Sequence, residues 1–208
     1  LGAETESNIV LEERVRQRYI LALLYFSTNG SQWANNNSWL SVEHECTWFG
    51  IKCGPLFAST AVSEEDSTDV AVTYVDLSTN KLSGSLVSEL RSLEELVALQ
   101  LHDNVLTGTI HELMFTFPKL STLFLDKNEL TGTLPPIIEL PKLQYLDLSG
   151  NGLVGKLPAF TSAESLLDVR LTNNEFCGAI PDSYYRSMPR VETLLVDENH
   201  CESTEAET

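Results

Sequence analysis

The sequence is short of basic residues and has no long apolar run, and each shortage excludes a class of function. Thirteen Lys and Arg stand against thirty Asp and Glu, a net charge of −17. That balance repels nucleic-acid phosphates and anionic lipid headgroups unless a basic patch intervenes, and the sequence has none. The longest apolar run, YILALLYF at 19–26, falls well below the roughly 20 residues of a membrane span, so no span is expected within the chain. The chain opens on Leu1 with no leader-like stretch, the expectation for a processed secreted protein or an excised ectodomain. It lacks GxSxG, HExxH and a phosphate-cradling glycine loop, so neither catalysis nor a cofactor has sequence support. There is no CxxC, which removes the usual redox motif. Around Cys46 and Cys53 only His44 is near enough to complete a metal knuckle.

What is present is a repeat. VTYVDLSTNKLSGSL, LVALQLHDNVLTGTI, LSTLFLDKNELTGTL, LQYLDLSGNGLVGKL and LLDVRLTNNEFCGAI align, and VETLLVDENHC is a shortened sixth copy. Their asparagines fall at 80, 104, 128, 151, 174 and 199, spaced by 24, 24, 23, 23 and 25 residues. Such a period is the signature of a solenoid, in which each unit buries its apolar face only against its neighbours. Apolar residues stand eight, five and three positions before each Asn, as in Leu96, Leu99 and Leu101 before Asn104. The last two alternate with polar residues, as a short strand requires. A side-chain amide at every turn can satisfy backbone groups of adjacent coils and so form a ladder. The acidic stretches ETE, SEEDSTD at 63–69 and ESTEAET at the end read as solvated segments.

On these repeats, LSGSL, LTGTI, LTGTLP, LVGKLP and FCGAIP with glycines at 84, 108, 132, 155 and 178, the chain resembles the plant-type leucine-rich-repeat class, LxxLxLxxNxLxGxIP. The resemblance implies an α/β solenoid, a right-handed superhelix with a parallel concave sheet and about five to six repeats. It also implies a second short strand after each Asn, where Gly permits a bend that a side chain would obstruct. Ahead of the repeats, an amphipathic helix is expected over Val10–Ser27, with Val15, Tyr19, Leu23 and Phe26 as its apolar stripe. NGSQWANNNSWLS and ECTWFGIKC follow it. This order resembles the N-terminal cap of plant-type ectodomains, in which paired cysteines form a disulfide and aromatics cover the first coil. The QRYILALLYFSTNGSQW stretch is similar to the caps of algal, diatom-like members.

The expected organisation is a flexible N-terminus at 1–9, a cap at 10–53, an acidic loop at 54–69, a solenoid at 70–201 and an acidic tail at 202–208. Four cysteines allow three connectivities. The resemblance implies Cys46 with Cys53, and neighbouring coils about 4.8 Å apart favour Cys177 with Cys201. Disulfides indicate an oxidising compartment. The sequons at Asn29 and Asn36 add the expectation of a secreted or cell-surface glycoprotein.

Strand residues that do not point inward face the concave side. An exposed Phe124 flanked by His102, Gln100, Tyr145 and Arg170, with Tyr74 on an outer strand, forms the candidate contact patch, since aromatics and Arg dominate binding hot spots. Asp126 and Asp147 could approach each other on adjacent strands, but no enclosed cleft of the glycosidase kind is expected around them. Calcium at these carboxylates lacks a ligand loop. The resemblance implies a monomeric, non-catalytic extracellular recognition module, a receptor or co-receptor ectodomain, that binds a protein, peptide or glycan. The alternative is a stand-alone secreted protein, an enzyme inhibitor or an adhesion or cell-wall matrix protein.

Overall fold

In the computed structural model, which describes residues 2–56, 70–161 and 163–197, the repeats wind into a β-solenoid of about five turns behind an N-terminal helix. A seven-stranded sheet forms one side. Its strands run in the order Ile51–Pro55, Val70–Asp76, Ala98–Gln100, Thr122–Phe124, Tyr145–Asp147, Asp168–Arg170 and Thr193–Leu195. The first pair is antiparallel and the others are parallel, so Phe124 sits beside Gln100 and Asp147. A five-stranded sheet runs from Ser83–Gly84 to Glu175–Cys177, built from the segments that follow each Asn. The expected inward positions are the core: Leu99, Leu101, Leu123, Leu125, Leu146, Leu148, Val169 and Leu171 are all buried.

The asparagine ladder is present from coil to coil. Asn104 Oδ1 accepts from the N–H groups of Asn80 and Leu82 at 3.0 and 2.9 Å, and its Nδ2 donates to the carbonyls of Leu77 and Leu101 at 3.0 and 2.9 Å. Asn128, Asn151 and Asn174 repeat the pattern, each accepting from one N–H of the preceding coil. Asn199 lies outside the described residues. The residue before each Asn turns through positive φ, at Thr79, Asp103, Lys127, Gly150 and Asn173. Only one of these five is glycine, so a turn stabilised by the ladder overrides local preference.

Helix α1 spans Gly2–Ser27. It starts before Val10, ahead of the helix start expected from the sequence, and takes in residues 2–9; ETESNIV contains no Pro or Gly to stop it. The expected stripe is also corrected. Val15, Tyr19 and Phe26 are 62%, 61% and 71% exposed, and the buried face is Gln17, Ile20, Leu21 and Leu24. YILALLYF is apolar on every side, so periodicity alone does not choose between two adjacent stripes. Gln17 Oε1 accepts the N–H of Val72, tying the helix to the first repeat strand. The carbonyls of Ser27 and Thr28, at the end of α1, accept from Ser85 and Ser83. A Cβ on Gly84, where φ is +104°, would stand 2.2 Å from the Ser27 carbonyl oxygen, so this junction requires glycine.

The cap is held by aromatics, one disulfide and one buried carboxylate. Trp33, Trp39 and Trp48 are buried, and their rings follow one another at 4.8 and 5.1 Å. Cys46 is bonded to Cys53, and the CxxxxxxC segment therefore staples the cap to the first strand. Glu45 is 1% exposed and stands 3.4 and 3.8 Å from Arg18 and Arg14. Arg18 also lies over Trp48, 5.0 Å from its ring. Cys177 is disulfide-bonded as well; Cys201, its expected partner, lies outside the described residues, as does the acidic SEEDSTD segment. Among the described residues no helix is long and apolar enough to cross a membrane.

Candidate functional site

A depression of about 300 Å³ opens on the outer face of the seven-stranded sheet, lined by His102, Phe124, Asp126, Asp147, Asp168 and Arg170 among others. The pleat places them there. Phe124, Asp147 and Arg170 occupy the same position of consecutive coils and are register partners. His102 and Asp126 follow two residues after Gln100 and Phe124, on the same face. Leu146 closes the floor.

The electrostatics are uneven. Arg170 is held along its own strand, donating from Nε and Nη2 to Asp168 at 3.0 and 2.7 Å. Those bonds hold the guanidinium firmly charged. Its Nη1 is 4.0 Å from Asp147. Asp147 Oδ1 accepts from the N–H and hydroxyl of Ser149 at 2.9 and 2.6 Å. Asp126 is 8% exposed. Burial, and then repulsion from Asp147, raises its carboxyl above the ordinary range, against a smaller opposing pull from His102. The His102 ring stands edge-on to Phe124 with centroids 6.1 Å apart. Among the described residues no three His, Cys, Asp or Glu side chains form a metal-binding group.

Of the candidate patch, the structure brings together Phe124, His102 and Arg170. Tyr145, Gln100 and Tyr74 lie on the same sheet but do not line the depression. Tyr74 instead lies under Lys52, 5.9 Å from its ring. The expectation that missed most was acidic. Asp147 reads as a habitual repeat residue, and Asp168 as one more strand position, yet both face the depression beside Asp126. The alternation that placed Phe124 also placed all three, so the signal was there in the register. Of the two sequons, Asn29 is exposed, whereas Asn36 is half-buried and its Nδ2 donates to the Gly30 carbonyl at 3.0 Å. A glycan on Asn36 would have to displace that bond.

Family models match two stretches, residues 118–162 as "Leucine Rich repeats (2 copies)" and residues 71–93 as "Leucine Rich Repeat". Over these stretches the chain is similar to leucine-rich repeats, and the coils around them form a β-solenoid. It resembles the ectodomain of the receptor kinase SOBIR1 from Arabidopsis thaliana, with TM-score 0.70 and 22% identity over 88% of this chain and 92% of that one. The HAESA receptor kinase ectodomain from Arabidopsis, solved with an N-terminally extended IDA peptide hormone, gives TM-score 0.69 and 28% identity. That match covers 90% of this chain but 30% of HAESA, so the solenoid corresponds to under a third of that ectodomain. A plant ice-binding protein gives TM-score 0.70 and 24% identity over 87% of this chain and 55% of its own, a likeness of fold alone. No curated protein matches the leucine-rich-repeat sequence significantly.

Proposed function

We propose that this solenoid is an extracellular recognition module, without catalysis of its own, that binds a peptide or protein partner on the outer face of its seven-stranded sheet. The observation that carries the reading is the depression around Phe124, where an aromatic ring, an imidazole and opposed charges converge on a rigid sheet. Binding sites of this kind combine a few oriented polar groups with apolar contact area, and aromatic and Arg side chains supply most of the energy at such surfaces. The likeness to HAESA, a receptor kinase solved with a peptide hormone, supports a peptide-binding role for the repeats. The Cys46–Cys53 disulfide suits an oxidising, extracellular compartment.

The test uses the glycosylated protein as bait against extracellular extract, beside a Phe124→Ala, Arg170→Ala double variant. A peptide or protein recovered by the wild type and lost by the variant is expected. Equal recovery by both would remove the site from this face of the solenoid.

A further inference from the structure

Helix α1 carries a second apolar stripe that no other element covers among the described residues. Leu11, Val15, Tyr19 and Phe26 are exposed, and with half-buried Ala22 they recur every three or four residues on the side of the helix opposite Gln17, Ile20, Leu21 and Leu24. Val42, 93% exposed, extends this surface. Its segment is held against the helix by Arg18, which donates to the carbonyls of Ser41 and Glu43. The solvent side of such a helix ordinarily carries charged and polar residues. Here the four large side chains leave roughly 500 Å² of apolar area in water, toward the upper end of what a monomer exposes.

The pattern of the stripe identifies what covers it. An isologous interface needs a surface that matches itself when turned about a two-fold axis. Turned antiparallel, Leu11 meets Phe26, Val15 meets Ala22 and Tyr19 falls beside its own copy, so the seam closes over about 22 Å of helix. The charges obey the same symmetry. Glu12, Glu13, Arg14, Arg16 and Arg18 all precede Tyr19, and no charged residue stands from there to Ser27. Antiparallel packing therefore lays each charged half on the partner's uncharged half, whereas parallel packing would set like charge against like. Two acids and three bases also nearly cancel, so the seam carries little of the chain's −17, and salt screens the rest. With Val42 and the rim added, each copy would bury about 600–800 Å², enough for a weak, reversible dimer. A lipid surface fits less well. The net charge opposes anionic headgroups, and the flanking bases are engaged, Arg16 with Glu13 and Arg18 with Glu45.

We propose that two copies of this chain associate through the outer stripes of their α1 helices, packed antiparallel about an axis near Tyr19. The dimer departs from the monomer that the sequence resemblance implies. It also stands apart from the recognition reading, since α1 is bonded to Val72, Ser83 and Ser85 at the first coil and takes no part in the depression around Phe124.

Sedimentation of the full chain over about 1–300 μM tests it, the range in which an interface of this size associates. The mass is expected to rise with concentration from 23.1 kDa toward twice that value, and to rise further with added NaCl as the repulsion between copies is screened. A monomer at every concentration, or a dimer that weakens with salt, would overturn the proposal. Val15→Lys with Tyr19→Lys, at exposed positions, should abolish the dimer and leave the urea midpoint unchanged. Leu113→Lys, an exposed apolar residue away from α1, should keep it. The opposite result from either variant would overturn the assignment to this stripe. Cross-linking reads the same contact without depending on those variants. Tyr19→Cys should give a disulfide-linked dimer, and Leu11→Cys, whose copies stand about 22 Å apart in the antiparallel seam, should not. Equal cross-linking of the two would overturn the antiparallel arrangement. Wild-type chain that sediments with phosphatidylcholine vesicles and forms no dimer would assign the stripe to a lipid surface and overturn the proposal.

Discussion

Replacing Asn104 by Ala removes one rung of the ladder, and its cost follows from the bonds lost. The N–H groups of Asn80 and Leu82 lose their only acceptor among the described residues, and the Leu77 carbonyl loses its donor. The Leu101 carbonyl keeps the bond from Asn128. Three buried backbone groups are therefore orphaned. At about 1–3 kcal/mol each, and with water able to enter the space the amide vacates, the total is about 3–4 kcal/mol. That is a large fraction of the roughly 5–15 kcal/mol that holds a typical domain together. For a chain of this size it corresponds to a fall in Tm of about 10 °C. Urea unfolding followed by circular dichroism measures it directly. Asn151→Ala, at a half-buried rung where one N–H loses its partner, should cost about half as much. Asn37→Ala, at an exposed position, should stay within about 0.5 kcal/mol of wild type. A loss below about 1 kcal/mol for Asn104→Ala, or no difference between it and Asn37→Ala, would refute the claim that the amides satisfy the coil-to-coil backbone.

Three further outcomes follow from the same structure. Gly84→Ala places a Cβ against the Ser27 carbonyl at a φ that disfavours side chains, so it should destabilise by about 1–3 kcal/mol; an unchanged urea midpoint would show that the cap does not depend on this contact. Cys46→Ser with Cys53→Ser opens a short loop, sequence separation 7, and should cost about 2–3 kcal/mol in the chain-entropy model, read as a lower Tm that matches the fall caused by reductant at this bond. Asp126→Asn should stabilise the protein at neutral pH. The native state raises this carboxyl, so its favourable contribution is complete below the unfolded pKa of about 3.9 and is lost as pH rises through the raised native value. The advantage of Asn should therefore shrink as pH falls into the acid range, and a variant less stable than wild type at pH 7 would contradict it.

The coils were legible because their physics repeats. Each Leu five and three positions before an Asn must point inward for neighbouring coils to stack, and the Asn amide faces the same backbone groups every turn, so period and alternation together specify both. The helix face was not legible, since Ile20, Leu21 and Leu24 compete with Val15, Tyr19 and Phe26 for the core, and only the position of the first strand decides between them. The left-handed turns at Thr79, Asp103, Lys127 and Asn173 leave no mark in residue type, because the ladder stabilises them from outside the turn. At the site, the register brought Phe124, His102 and Arg170 together and allowed Asp126 and Asp147 to approach, but it left Asp168 outside the expected patch. An aspartate common to many repeats still carries a charge, and what distinguishes these three is that Arg170 bonds Asp168, stands 4.0 Å from Asp147 and makes no ion pair with Asp126. Nothing in the sequence pattern separates a carboxylate with a partner from one without.

The central claim is that partners dock on the outer face of the seven-stranded sheet. Hydrogen exchange of the chain alone and with a partner captured from extracellular extract tests it most directly. Slowed exchange centred on residues 100–103, 124–127, 147–150 and 170–173 is the predicted result. Protection confined to the five-stranded sheet or to helix α1, with these segments unchanged, would contradict it.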